Sequence, residues 1–395
     1  MLSLLKSKKK SILFIFMFVI ALTLASCSSG ATISSTSTST NNKEVVTDMM
    51  GREVEVTKGS YNRVVCIGAG ALRLYSYIGD VNKLAGVEDI DNESLTARPK
   101  MFDGVARPYF IAYKDVFKTK ESCGVGGPQS QAAEEEKILN CNPDIIVSEY
   151  EDVEKANKLQ GDLNVPVIVV KYGSDGVFDT KLKQSLELLG KVFDNTAKAK
   201  RINDFIESEK TAISNRTKDI TVASQKKIYI CGLGNWGTTN HLMTCQNYAP
   251  FNVAHINNVV SGLATNAVNA IDKEKFEELA PNMDVMILDA AAIKNIKGLY
   301  QENPSMFDNC KAWVNNEVYL QMAYNAYYTN IEIALCNTWF NAKVVYPSLF
   351  SDIDINTKLN EITNIFLGKE LANDIMNYPM SYGGYGKVNK ETIFA

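Results

Sequence analysis

Three features of this 395-residue chain predict an α/β protein built as two doubly wound, Rossmann-like lobes joined by a single long α-helix. The first is a repeat. Leu139-x-x-Asn142-x-Asp144-Ile-Ile-Val recurs as Leu279-x-x-Asn282-x-Asp284-Val-Met-Ile, with the same internal spacing 140 residues later. The second is that each half opens with a short apolar run into glycines, Arg63-Val-Val-Cys-Ile-Gly-Ala-Gly70 and Lys227-Ile-Tyr-Ile-Cys-Gly-Leu-Gly234, the pattern of a buried strand. The third is a helical stripe between Phe178 and Thr217: Leu182, Leu186, Leu189, Val192 and Phe193, then Ile202, Phe205, Ile206 and Ile213 recur in steps of three and four. Lysines and glutamates fill the other faces and no proline interrupts, so a half-solvated helix is expected over residues 174–219. At about 1.5 Å per residue, a helix of roughly 35 to 40 residues would reach about 55 Å, two small lobes side by side. The lobes then occupy residues 45–173 and 220–395.

Residues 1–27 read as an export signal: Lys6, Lys8, Lys9 and Lys10, an apolar run from Ile12 to Leu22 too short to span a bilayer comfortably, then small residues. Its end, Leu24-Ala25-Ser26-Cys27, resembles the lipobox of bacterial lipoproteins, which implies lipidation of Cys27 and attachment to the outer face of the cell membrane by that anchor only. Residues 28–44 are expected to be a flexible tether, since the Ser/Thr-rich run from Ser28 to Asn42 carries no charge and one large apolar residue, Ile33. Loss of the four signal lysines takes the formal charge from −4 to −8, which speaks against nucleic acid as a partner. The seven cysteines after Cys27 are scattered without a CxxC, so no zinc ribbon or redox motif is expected, and mostly free buried thiols are.

In the first lobe strands are expected near 53–57, 63–67, 84–87, 144–148 and 166–170, with helices near 71–79, 131–141 and 152–162. The second lobe shows strands near 227–231, 284–288 and 317–321 and helices near 273–280, 329–342 and 356–377. Ligands of such sheets bind beyond the carboxyl ends of the strands, which points to the loops after Ile67, Val87, Val147, Ile230, Leu288 and Leu320.

Gly232-Leu-Gly234-Asn-Trp-Gly237 is a formal GxGxxG, yet no acidic residue lies between Ile220 and Ile271 to hold a ribose, and Thr238-Thr239-Asn240 reads as loop instead of helix. A dinucleotide site is therefore excluded. With two histidines, no GxSxG and no HExxH, catalysis has no positive signal. His241, Cys245, Cys231 and His255 lack the spacing of a metal site. The acid-free stretch, with His241, Trp236 and Tyr248, instead offers an uncharged or basic wall, and Arg98, Arg107, Tyr109, Tyr113 and Lys114 do the same in the first lobe. Arginine forks suit anionic groups and aromatic faces suit a flat chelate. The ligand-binding candidates are Arg73, Arg107, Tyr109, Tyr113, Tyr150, Trp236, His241, Tyr327 and Tyr328.

Val46-Thr-Asp-Met-Met-Gly51-Arg-Glu-Val-Glu-Val56, Asn62-Arg-Val-Val, Asn142-Pro-Asp-Ile-Ile-Val147, Asn247-Tyr-Ala-Pro-Phe251, Ile271-Asp-Lys-Glu274, Tyr324-Asn325 through Thr329-Asn-Ile-Glu332 and Lys343-Val-Val-Tyr-Pro347 together resemble the solute-binding lipoproteins of ABC importers for iron-siderophore, haem and cobalamin. The resemblance implies two lobes on a stiff helical backbone, a shallow cleft, no enzymatic activity or resident cofactor, and a monomer that hands an iron(III) chelate or related metal complex to a permease and its ATPase. A molybdate or tungstate oxyanion is the alternative ligand, and a membrane-anchored enzyme acting on a chelate a more distant one. It also implies one permease-docking glutamate per lobe: Glu136 in the first, and Glu274 in the second, with Glu277 or Glu278 still open.

Overall fold

The computed structural model describes residues 42–128, 130–221, 225–234 and 239–393; the export signal, Cys27, nearly all of the tether and Trp236 lie outside them. The described chain starts with an antiparallel hairpin, β1 (Lys43–Thr47) and β2 (Glu53–Thr57), so Lys43 and Glu44 belong to a strand and not to the tether. The first lobe continues as β3 (Val64–Ile67), α1 (Ala71–Ile78), β4 (Leu84–Val87), α2 (Pro108–Phe117), β5 (Glu121–Ser122), α3 (Glu135–Asn140), β6 (Ile145–Ser148), α4 (Val153–Leu163) and β7 (Val167–Val169). Its sheet runs β5-β4-β3-β6-β7, all parallel. β3, β6 and β7 are buried along their whole length, as continuous β-branched runs covered by helices on both faces must be.

Two helices follow where one was expected: α5 (Thr180–Val192) and α6 (Thr196–Thr217). Asp194 adopts a left-handed backbone with φ +53°, and the chain doubles back. Gly190 lets the two helices close up, since a Cβ there would stand 2.7 Å from that of Ala199, and Asn203 donates to the Lys183 carbonyl at 3.2 Å. The long helix that joins the lobes is thus the 22-residue α6, about 33 Å, not a 55 Å rod. It packs on α1 of the first lobe and on helices of the second.

The second lobe comprises β8 (Ile228–Cys231), β9 (Met243–Thr244), α7 (Ala249–Val253), β10 (Asn269–Ala270), α8 (Lys273–Leu279), β11 (Val285–Asp289), α9 (Ile293–Glu302), α10 (Lys311–Val314), β12 (Val318–Gln321), α11 (Ile331–Val345), α12 (Ile355–Leu367) and β13 (Gly386–Lys387). The sheet order is β13-β12-β11-β8, parallel except for β13. α6 is tied to this lobe by Glu209, which is buried, accepts the Trp339 Nε1 proton at 2.6 Å and pairs with Lys358 at 3.1 Å. All seven described cysteines are buried and unpaired. Among the described residues no helix is long and apolar enough to cross a membrane.

Candidate functional site

The first sheet reverses its direction of growth between β3 and β6, because β4 lies to one side of β3 and β6 to the other. The carboxyl ends of such neighbouring strands splay their loops apart and leave a crevice. Gly68 (φ +85°) ends β3, and the Glu149 Cβ lies 3.4 Å from where a Gly68 Cβ would be, so the two strand-end loops meet there. Facing them is the segment after β12. Tyr327 and Tyr328 both have positive φ, +52° and +74°, which costs a non-glycine residue roughly 1 to 3 kcal/mol unless its surroundings hold it.

Those surroundings come from the opposite lobe. The buried Arg73 of α1 donates to the Ala326 carbonyl at 2.7 Å, the Tyr327 carbonyl at 3.1 Å and Asn330 Oδ1 at 3.0 Å, and its guanidinium lies 4.8 Å from the Tyr109 ring centre. Glu88, just past β4, accepts the Tyr327 hydroxyl proton at 2.5 Å and the Gly68 amide at 3.0 Å. From within the second lobe, Asp289 accepts from the Tyr324 amide at 2.9 Å and from Gln321 Nε2 at 3.0 Å. Burial pushes Glu88 and Asp289 each up to about 7, although their hydrogen bonds pull the other way.

Between these loops lies a cavity of about 610 Å³. Tyr150, Tyr248, Tyr324, Tyr327 and Tyr328 line it, with amides from Gln131, Asn247, Asn266 and Asn325 and a floor from Gly173 to Gly176 in the connection between β7 and α5. Gly176 (φ +59°) is required there, because a Cβ would stand 2.3 Å from the Tyr324 hydroxyl. Among the described residues the lining contains two carboxyl groups, Glu149 and Asp175, and no arginine, lysine or histidine. Residues 129, 222–224 and 235–238, the internal ones not described, are also free of those three types.

Of the expected ligand residues the cavity brings together Tyr150, Tyr327 and Tyr328. The others stand elsewhere. Arg73 is consumed by the loop it holds. Arg107 is 2% exposed and bonds Asp91 at 2.5 Å, with Tyr109 donating to the same carboxylate at 2.9 Å. Expected at the ligand, they sit on α2 and its N-terminal boundary, with Pro108 opening the helix, and are buried. Tyr113 bonds the Leu367 carbonyl at 2.7 Å, away from the cavity. His241 is half-buried, set edge-on against Phe276 and Phe307 outside the cavity lining, and burial lowers it to about 4. Trp236 lies outside the described residues. The sequence reading missed Glu149, Gln131 and the Gly173–Gly176 floor; the two glycines soon after β7 were the available signal.

A sequence profile described as "Periplasmic binding protein" matches residues 64–321, from β3 of the first lobe through the helix between the lobes to β12 of the second. The chain belongs to that family. Solved structures with this fold include a periplasmic solute-binding protein from Veillonella parvula, TM-score 0.63 and 18% identity over 85% of this chain and 96% of its own. Another is the molybdate-bound MolA of Haemophilus influenzae, TM-score 0.63 and 18% identity over 83% of this chain and 98% of its own. The curated molybdate-binding protein MolA of the same organism is 20% identical over 254 residues, 57% of this chain and 67% of its own length. CeuE from Helicobacter pylori, solved with Ni(II), aligns at TM-score 0.57 and 14% identity, covering 82% of this chain and 96% of its own. At these identities the likenesses speak for the fold.

As a periplasmic binding protein the chain is the extracytoplasmic, solute-binding part of an ABC transporter, and its partners are a permease and an ATPase. Glu136 on α3 and Glu274 in the first turn of α8 are both exposed. Among the described residues neither has a basic partner within 4 Å, whereas Glu277 pairs with Lys273 at 3.5 Å and Glu278 with Lys275 at 3.1 Å.

Proposed function

We propose that this binding protein captures an intact transition-metal chelate, such as an iron(III) complex, and carries it chemically unchanged to its permease. The cavity supports this reading. Its 610 Å³ is the volume of about twenty waters and falls in the range of sites for drug-sized ligands, and its tyrosine faces and side-chain amides suit the apolar flank and polar edge of an organic chelate. A bare tetrahedral oxyanion would fill a small part of it and would find no cationic side chain among the described lining residues. Molybdate or tungstate remains the second reading, because MolA, with the same fold, is described as binding molybdate.

Glu136 and Glu274 are the proposed contacts to the permease: exposed carboxylates without basic partners, one on each lobe, are free to meet arginines of another protein. A lipid on Cys27 is the proposed tether to the membrane. The decisive experiment is native mass spectrometry of the purified protein against ferric siderophores of different charge, haem, cobalamin, molybdate and tungstate. A one-to-one complex with a chelate is expected; capture of the oxyanions alone would overturn the proposal.

A further inference from the structure

Resting on the chelate reading, we infer that the cavity selects a ligand of net positive charge and that Glu149 is the counter-charge it meets. Among the described residues the lining carries two carboxyl groups and no base, so its side chains offer neutral or negative groups to a ligand. Asp175 is exposed at the rim, whereas Glu149 is partly buried at the β3/β6 crevice, where its side chain packs on Gly68. The nearest base, Lys171 past the end of β7, is engaged by Glu151 at 2.8 Å and leaves Glu149 without a salt bridge among the described residues.

The groups that face Glu149 are Glu151, Glu88, Lys171 and the hydroxyl of Tyr328. Burial first, then the charges of Glu151 and Glu88, push its carboxyl up to about 9, against weaker opposition from Lys171 and Tyr328. At neutral pH Glu149 therefore keeps its proton. A cation entering the cavity favours the ionised form, so the carboxyl O–H releases its proton to solvent and the carboxylate accepts a charge-assisted bond from the ligand. An anionic ligand meets two acids and gains nothing comparable.

Ferrioxamine B, a ferric trihydroxamate with a pendant ammonium and net charge +1, and its N-acetylated form, the same chelate without that charge, make a matched pair for calorimetry. The wild-type protein is expected to bind ferrioxamine B about 10-fold or more tightly than the acetylated form. It should release about one proton per complex at pH 7, read from runs in two buffers of different ionisation enthalpy. Its affinity for the cation should rise by up to about tenfold per pH unit from pH 6.5 to 8.5. In Glu149→Gln, which mimics the protonated side chain and whose fold circular dichroism checks, the preference and the Glu149 proton release should vanish. The wild-type pH dependence tests the idea without any variant. Equal binding of the two forms by the wild type, or a preference that survives in Glu149→Gln, overturns the inference. Capture of a trianionic ferric catecholate with rejection of both hydroxamates overturns it while leaving the chelate reading intact. Failure of every chelate to bind overturns the chelate reading, and this inference with it.

Discussion

Replacing Arg73 by alanine should be among the most damaging single changes to this binding protein. The guanidinium is fully buried and holds three acceptors of the opposite lobe at 2.7 to 3.1 Å: the carbonyls of Ala326 and Tyr327 and the side chain of Asn330. Truncation strands all three, at about 1 to 3 kcal/mol each, and opens a void in which water can partly replace the lost donors. It also frees Tyr327 and Tyr328 to leave their positive-φ conformations, which recovers some of that energy and removes two walls of the cavity. A net loss of about 3 to 5 kcal/mol is expected, which with an m-value of about 3 kcal/mol/M moves the urea midpoint down by at least about 1 M. Ligand affinity should fall in the variant even where it remains folded. Urea denaturation followed by circular dichroism, with calorimetry of the folded variant, measures both. An unchanged midpoint with lost affinity would place Arg73 against the ligand and refute the clasp.

Arg107→Ala should lower stability by about 3 to 5 kcal/mol, since it leaves the buried Asp91 carboxylate without its cation, and should leave the affinity of the folded fraction nearly unchanged. For pH, Glu88 and Asp289 both have folded values raised to about 7, so the folded state binds their protons more readily than the unfolded one. Their contribution is therefore fully present below the usual carboxyl range and is lost as pH rises through about 7; the melting temperature should fall from pH 5 to pH 8, and Glu88→Gln should flatten part of that slope. Glu136→Ala combined with Glu274→Ala should abolish most uptake in cells while calorimetry finds ligand binding intact; binding lost in proportion to uptake would put these residues in the cavity. Cys27→Ala should release the protein from the membrane fraction, and retention there would count against a lipid at that position.

The strands were legible in the sequence because each is a short, mainly apolar and buried run, and Val64–Ile67, Ile145–Ser148, Ile228–Cys231 and Val318–Gln321 stand within a residue of where the pattern puts them. The internal repeat and the helical stripe also determined that there are two lobes with a helix between them. What periodicity could not show is direction. The apolar stripe from Leu182 to Ile213 reads as one helix, yet Asp194-Asn195 and the small Gly190 let α5 and α6 fold face to face, so the same stripe closes on itself. The site was decided by tertiary structure for a related reason. An arginine at the start of a helix looks the same in sequence whether it points into a cleft or into an interface, and Arg73 and Arg107 both found buried acceptors in the interior. Glu149, one acid among many, acquired its character only when β3 and β6 brought it beside Gly68 in a cavity without a base, because the charge state of a carboxyl depends on the solvent and charges around it and not on its neighbours in the chain.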